Sequence, residues 1–382
     1  MTQGRSKRSH RKSSGGSKLN ASPRNTAEGS FPRGPADRLI LSQTDQILPG
    51  RALLVMLNGS ALAKHLTNAR PDVDWTLFTF EHFYLTAAVH ALSEQNSDAP
   101  VELTCHPDLP DGQYDTVLLA TDARASSELA RDVLQSIANR LAPTGRLIVS
   151  VNNPRDHWLQ NHLKETYGRI TAIKDPEGAC YIARKRPSAA KQKNYDAEFA
   201  FRDRETLIAC ASRPGVFSHR RVDAGARALV RSLNLLEETS PPFDPTRIVE
   251  MGCGCGSVTT AAALRYPDAQ VIAVDSHARA VQSTERTAAL NQAENVAVLL
   301  TSGGDIPGPG THDLFLCNPP YYSDYRISEL FLDAAEESLR QGGRIHLVTK
   351  QIEWHHNRML ERFANAEVYE IGDYHVVVSI AY

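Results

Sequence analysis

No apolar run in this chain approaches the roughly 20 residues needed to span a bilayer, and its first residues lack the apolar core of a secretory signal. A cytoplasmic protein with no membrane partner is therefore expected. Paired cysteines are missing as well. Of the six, Cys105, Cys180, Cys210, Cys253, Cys255 and Cys317, only Cys253 and Cys255 are close together. A C-x-C between glycines suits neither a zinc knuckle nor a disulfide ladder, which leaves free thiols and no metal. Excess charge is absent too: 42 Lys and Arg stand against 44 Asp and Glu, so any pull toward nucleic acid must be local. One local candidate is the amino terminus. No acidic residue precedes Glu28, while Arg5, Lys7, Arg8, Arg11, Lys12, Lys18 and Arg24 do. Residues 1–37 read as a disordered basic tail, either a solubilising extension or an arm for RNA phosphates.

What is present is α/β alternation over a length that suggests two domains. Apolar runs at Ala52–Leu57, Trp75–Phe80, Val101–Thr104, Thr116–Ala120 and Arg146–Val151 predict strands, and Ser126–Leu141 has helical spacing. This pattern predicts a parallel sheet covered on both faces. The second half then repeats the first. Tyr114-Asp115-Thr116-Val117 lies over His312-Asp313-Leu314-Phe315, and Gly145-Arg146-Leu147 lies over Gly343-Arg344-Ile345, both offset by 198 residues (313 − 115 and 344 − 146). Two tandem copies of one fold follow, joined near Lys185–Lys193. The expected division is the tail 1–37, a first domain 38–186 that binds substrate or RNA or serves structure, a linker and lead-in 187–246, and a second domain 247–382 that carries the chemistry.

The copies differ in their chemistry. In the second, Glu250-Met251-Gly252-Cys253-Gly254-Cys255-Gly256 runs from a strand into a glycine turn, where the backbone can pass close to a ligand. Asp275 ends the next strand, at the place where doubly wound nucleotide folds put a ribose-binding acid. Asn318-Pro319-Pro320-Tyr321 ends a later strand, because two prolines forbid further pairing. An Asn carbonyl and a proline carbonyl are two acceptors suited to a planar amine, and Tyr321 can stack on the ring that carries it. The first copy has Leu57-Asn58-Gly59-Ser60 and Ala120-Thr121-Asp122-Ala123 at these places, so it keeps the scaffold and lacks the site.

This ordered set resembles the class I S-adenosylmethionine-dependent methyltransferases, and within them the RsmC/RlmG-type ribosomal RNA guanine methyltransferases. Pro214-Gly215-Val216-Phe217-Ser218, with Asp223 and Gly225 ahead of the second domain, adds to the resemblance. The family also carries a degenerate amino-terminal copy of its fold. The resemblance implies two Rossmann-like methyltransferase domains, the first degenerate, and methyl transfer to the 2-amino group of a guanine in ribosomal RNA. It implies that Glu250, Gly252, Gly254 and Gly256 line the methionine end of S-adenosylmethionine, with Asp275 at the ribose and Ser302 and Gly303 near the adenine. Asn318 and Pro319, stiffened by Pro320, would hold the amine, with Tyr321 against the base and Phe217 either lidding the cofactor or packing. The implied partner is ribosomal RNA or a ribosomal subunit, and the chain is expected to be a monomer.

Departures from the family pattern are Tyr321 in place of Phe, no His in Tyr322-Ser323-Asp324-Tyr325, and Thr349-Lys350 in place of Ala-Asn. Asn-Pro-Pro-Tyr also suits adenine-amine and glutamine-amide methyltransferases, and a non-catalytic RNA-binding or ribosome-assembly protein is a further alternative. A nicotinamide dinucleotide oxidoreductase would place a third glycine at Ser257 and has no use for Asn318–Tyr321. Among plainer readings, Asp275 could cap the helix that follows it, and His355 and His356 are expected to be exposed.

Overall fold

The computed structural model describes residues 34–94, 100–185, 192–320 and 323–382. Residues 1–33 of the basic tail, residues 95–99, most of the joining segment, and Tyr321 and Tyr322 lie outside the described residues. The first domain begins at Pro35 rather than at the expected 38, because Ala36 packs into its core with Leu39 and Ile40.

Each apolar run becomes a strand, and the strands close into two sheets of seven. The first contains β1 (Gly50–Val55), β2 (Val73–Thr79), β3 (Val101–Cys105), β4 (Tyr114–Thr121), β5 (Leu141–Val151), β6 (Ile170–Asp175) and β7 (Gly178–Arg184) in the order β3-β2-β1-β4-β5-β7-β6. An antiparallel hairpin, β8 (Ala197–Asp203) and β9 (Thr206–Ser212), leads into the second sheet. That sheet contains β10 (Arg247–Met251), β11 (Gln270–Asp275), β12 (Val296–Leu300), β13 (His312–Cys317), β14 (Leu339–Thr349), β15 (Glu367–Ile371) and β16 (Tyr374–Ile380), ordered β12-β11-β10-β13-β14-β16-β15. The two orders are the same, and in both one strand, β7 or β16, runs antiparallel to its two neighbours and so opposite to the rest of the sheet.

The repeat extends to irregularities. The β4–β5 register slips between Tyr114 and Thr116, and the β13–β14 register slips between His312 and Leu314. The repeated aspartates explain why that corner recurs. Asp115 accepts from the Arg51 N–H at the start of β1, and Asp313 accepts from the Thr246 and Arg247 N–H groups at the start of β10. Each carboxylate fastens one strand to its neighbour at the end of the sheet away from the site, so this part of the duplication is structural.

Helices cover both faces of both sheets, which is why the central strands are apolar on both sides. In the first domain Phe78, Val117, Leu147 and Leu163 meet on one face, and Ile40, Leu54, Trp75 and Leu118 on the other. The helix Pro35–Leu41 belongs to that second face, with Leu39 and Ile40 buried. In the second domain the hairpin residues Phe201, Ile208 and Cys210 join Leu229, Leu314 and Val376 in one core, and Val249, Phe315, Leu332 and Met359 form the other. The lead-in segment is therefore packed into the second domain.

Candidate functional site

Four parallel strand ends set the line of the site. Met251 pairs with Val274 on one side and Cys317 on the other, and Asp275 pairs with Leu300. The residues that follow these strands therefore stand side by side in the order Ser302, Asp275, Gly252, Asn318. Three inter-strand spacings separate the outer two, about 14 Å. This edge is where an open α/β sheet binds its ligands.

The glycine turn has the backbone that only glycine adopts freely: Gly252, Gly254 and Gly256 have φ of 81°, 58° and 76°. Gly256 is also fixed by packing, since a Cβ there would lie 2.8 Å from the Thr284 Cα. A Cβ on Gly254 would meet nothing within 4 Å, so the turn is open on that side. The Gly254 N–H donates to Asp275 Oδ2 and the His277 N–H to Oδ1, both at 2.9 Å. Those bonds orient the carboxylate, and burial raises its pKa. His277, not Asp275, caps the helix Ala278–Leu290, with its ring nitrogen accepting from the Arg279 N–H. Glu250 is only 4% exposed, accepts from the Thr259 hydroxyl, and is pushed up to about 8 by burial. It is a buried carboxyl beneath the turn rather than a solvated strand end.

At the other end of the line, Asn318 is held by a residue far away in sequence. Its Nδ2 donates to Asp223 Oδ2 at 3.3 Å, and the same oxygen caps the helix Ala224–Ser232 through the Gly225 and Ala226 N–H groups. With the amide nitrogen committed to Asp223, the Asn318 carbonyl oxygen is the end left for a ligand. Gly225 permits the approach, because a Cβ there would lie 3.2 Å from both Asn318 Nδ2 and the Tyr374 ring. Lys350 lies over that same ring at 4.5 Å. Beyond Pro320 the chain is anchored by Tyr325, which stacks on Trp354 with centroids 4.1 Å apart. Ser323, Asp324 and Tyr325 all have positive φ, a strain that the stack must offset.

His355 is buried at 1% exposure, against the expectation of a surface histidine. It bonds Thr349 Oγ1, the Gln351 carbonyl and Ser328 Oγ, and so ties the end of β14 to the helix Arg326–Ser338. The misreading overlooked the helical spacing that puts His355 on the same inward face as Met359 and Phe363, the other buried residues of the helix Ile352–Phe363. Phe217 is 69% exposed and so is not a packing residue; its neighbour Val216 clusters with Cys255 and Ala280 over the glycine turn. Cys253 and Cys255 are buried free thiols, and no group of metal-ligating side chains exists among the described residues.

The first domain also reaches this edge, which the sequence reading missed. The corner after β2 pairs antiparallel with the loop after β11, through His82 N–H to the Ser276 carbonyl and Ala278 N–H to the Phe80 carbonyl, both 2.7 Å. Arg279, 2% exposed, crosses the interface to Asp132 (2.7 Å) and the Pro107 carbonyl (2.8 Å). No local signal marks these contacts, because each joins residues more than a hundred positions apart.

The methyltransferase small domain family matches residues 208–379. Ribosomal RNA small subunit methyltransferase C of Pseudomonas entomophila is 30% identical over 256 residues, spanning 64% of this chain and 73% of that protein. The protein of the same name from Stutzerimonas stutzeri is 27% identical over 326 residues, 82% of this chain and 89% of its own. Among solved structures, the T. thermophilus 16S rRNA N2 methyltransferase RsmC, in complex with AdoMet and guanosine, shares the fold with a TM-score of 0.74, 20% identity and 92% of both chains covered. Two seven-stranded sheets of one order, an intact glycine turn in the second alone, and this degree of identity together mean that the chain belongs to the ribosomal RNA small subunit methyltransferase C family of class I S-adenosylmethionine-dependent methyltransferases.

Proposed function

We propose that this chain methylates the 2-amino group of a guanine in small-subunit ribosomal RNA, with the second domain carrying the reaction. The observation that bears most weight is the alignment of Asn318 with the glycine turn on adjacent strand ends, its carbonyl oxygen left unclaimed by the Asp223 bond.

The residues present fit the cofactor. Gly254 leaves open space above a positive-φ turn, and Asp275 keeps lone pairs free for ribose hydroxyls beyond its two backbone bonds. Glu250, Gly252, Gly254 and Gly256 would hold the methionine end, Asp275 the ribose, Ser302 and Gly303 the adenine, and Phe217 would cover them. Bound there, S-adenosylmethionine would supply an electrophilic methyl group on a sulfonium centre. The chain's task is then to present a poor nucleophile correctly. The guanine amine is planar because its lone pair is delocalised into the ring. Asn318 Oδ1 and the Pro319 carbonyl would accept its two hydrogens and favour a pyramidal nitrogen with the lone pair facing the methyl. Pro320 stiffens that carbonyl, and Tyr321 would stack on the base. As the new C–N bond forms and the C–S bond breaks, one amine proton is shed to water. Positioning supplies most of the rate, so no strong base is required. The base must leave its stack to reach such a pocket, which favours a loop or partly unfolded RNA.

The test incubates the full chain with labelled S-adenosylmethionine and small-subunit RNA, subunit particles, transfer RNA or protein, followed by digestion. N2-methylguanosine in small-subunit RNA is expected. Methyladenosine or methylglutamine as the sole product would overturn the guanine assignment.

A further inference from the structure

We propose that two side chains of the first domain, Glu81 and His82, are positioning residues of the cofactor site, clamping together the two loops that flank the adenosine end. The inference rests on the cofactor placement above and adds to it a part of the chain without glycine turn or Asn-Pro-Pro-Tyr.

The geometry is specific. Ser276 follows the ribose acid Asp275, and Ser302 follows the neighbouring strand β12. An adenine lying against those strand ends would sit between the two serines. Glu81 accepts from Ser276 Oγ at 2.9 Å, and the His82 ring Nδ1 bonds Ser302 Oγ at 3.0 Å. Two consecutive residues of one domain therefore each grip a different loop of the other. Their backbone is pinned at the same place by the two 2.7 Å bonds around Glu81 and His277. Within the second domain the two loops are joined by Thr301 N–H to the Asp275 carbonyl at 3.1 Å, just inside the serines. The clamp continues that tie outward, where the slot would otherwise be free to widen. The corner that supplies it is the first copy's counterpart of the Asp275 corner, since both follow the second strand of their sheet.

An ordinary packing contact would not be built this way. Glu81 is mostly buried beside Asp275, no ion pair reaches it among the described residues, and burial pushes it up to about 7, with the Asp275 charge adding to the effect. Placing a carboxyl there costs stability, the pattern expected where a group serves a site rather than the fold. Apolar and charged contacts that join the domains lie beside it: Phe80 stacks on His277 with centroids 5.7 Å apart and lies under Arg279 at 4.2 Å.

The experiment measures S-adenosylhomocysteine affinity by calorimetry on the full chain, with steady-state kinetics on RNA alongside. Glu81→Ala and His82→Ala should each weaken affinity about 3- to 10-fold, the effect of one lost hydrogen bond, and the double variant about 10- to 100-fold. KM for the cofactor should rise in step, with kcat at saturating cofactor and KM for RNA unchanged and the unliganded thermal midpoint not lowered. Glu81→Gln keeps an acceptor for Ser276 and His82→Asn keeps a group at the Nδ1 position, so both should recover most of the affinity. Unchanged affinity in the double variant overturns the proposal, as does a loss matched by a fall in thermal midpoint. Asp275→Asn separates the two levels: if it weakens binding while the Glu81 and His82 variants do not, only the clamp is wrong. If Asp275→Asn also has no effect, the cofactor placement itself fails.

Discussion

Glu250 offers a test of the cofactor end that needs no RNA. Its carboxyl is buried and holds its proton to about pH 8, against an ordinary 4.5. At about 1.4 kcal/mol per tenfold change in proton affinity, ionising it in the folded protein is disfavoured by about 5 kcal/mol relative to the unfolded chain. Because its folded pKa is raised, the stability it contributes is fully present below pH 4.5 and is lost as pH rises through 8. At pH 7 about nine-tenths of the molecules carry the proton. An ammonium group brought within about 5 Å stabilises the carboxylate by about 3 kcal/mol at an effective dielectric of 20, more than two pKa steps. Glu250 would then ionise, so binding S-adenosylhomocysteine at pH 7 should release close to one proton. Titration calorimetry in buffers of different ionisation enthalpy reads that number as a slope, and Glu250→Gln should reduce the slope toward zero. Because Glu81 titrates nearby at about 7, the measurement is repeated in Glu81→Gln. A wild-type slope of zero, or proton uptake in that background, would refute Glu250 as the neighbour of the amino-acid end.

Other consequences concern the amine end and the interface. Asn318→Ala should keep S-adenosylhomocysteine affinity and lose transfer by about 100-fold, the scale of a misplaced reactant; calorimetry showing lost affinity would contradict its role. Asp223→Ala should lower kcat because Asn318 is no longer held, with up to about 2 kcal/mol of stability lost with the helix cap, whereas Asp223→Asn retains an acceptor and most of the rate. Gly225→Ala places a methyl 2.8 Å from Asp223 Oδ2 and 3.2 Å from Asn318 Nδ2, so it displaces that pair; since alanine favours the helix by about 1 kcal/mol and offsets part of the disturbed cap, single-turnover rate should fall far more than stability. Arg279→Ala removes a buried charge partner of Asp132 and should cost about 3 to 5 kcal/mol in denaturant unfolding, partly recovered by adding Asp132→Asn. Truncating residues 1–185 should weaken cofactor affinity as well as stability, because it removes Glu81, His82 and Asp132 together; a soluble truncation with full affinity and activity would contradict both interface roles.

The sequence by itself determined what depends on neighbours along the chain. Strands and helices followed from the spacing of apolar residues, and the glycine turn from three alternate residues that the fold holds at positive φ. The strand end at Asn318 followed from two prolines that cannot pair. The duplication was legible because it repeats local patterns, down to Asp115 and Asp313, which fasten equivalent strands. Only the tertiary structure decided which distant residues meet. Asp223 and Asn318 are 95 positions apart, Ser276 and Glu81 are 195 apart, and His82 and Ser302 are 220 apart. No pattern in either segment announces its partner, because pairing across such distances is set by how helices pack and domains dock. Burial was only partly legible: Glu250 is buried where Thr259, from the helix after the glycine turn, donates to it, and His355, expected at the surface, is buried where it meets Ser328 of another helix. The division of labour between the domains shifted accordingly. Motifs point the proposed chemistry to the second copy, while contacts made only in the folded chain bring the first copy to the strand ends where that chemistry is proposed.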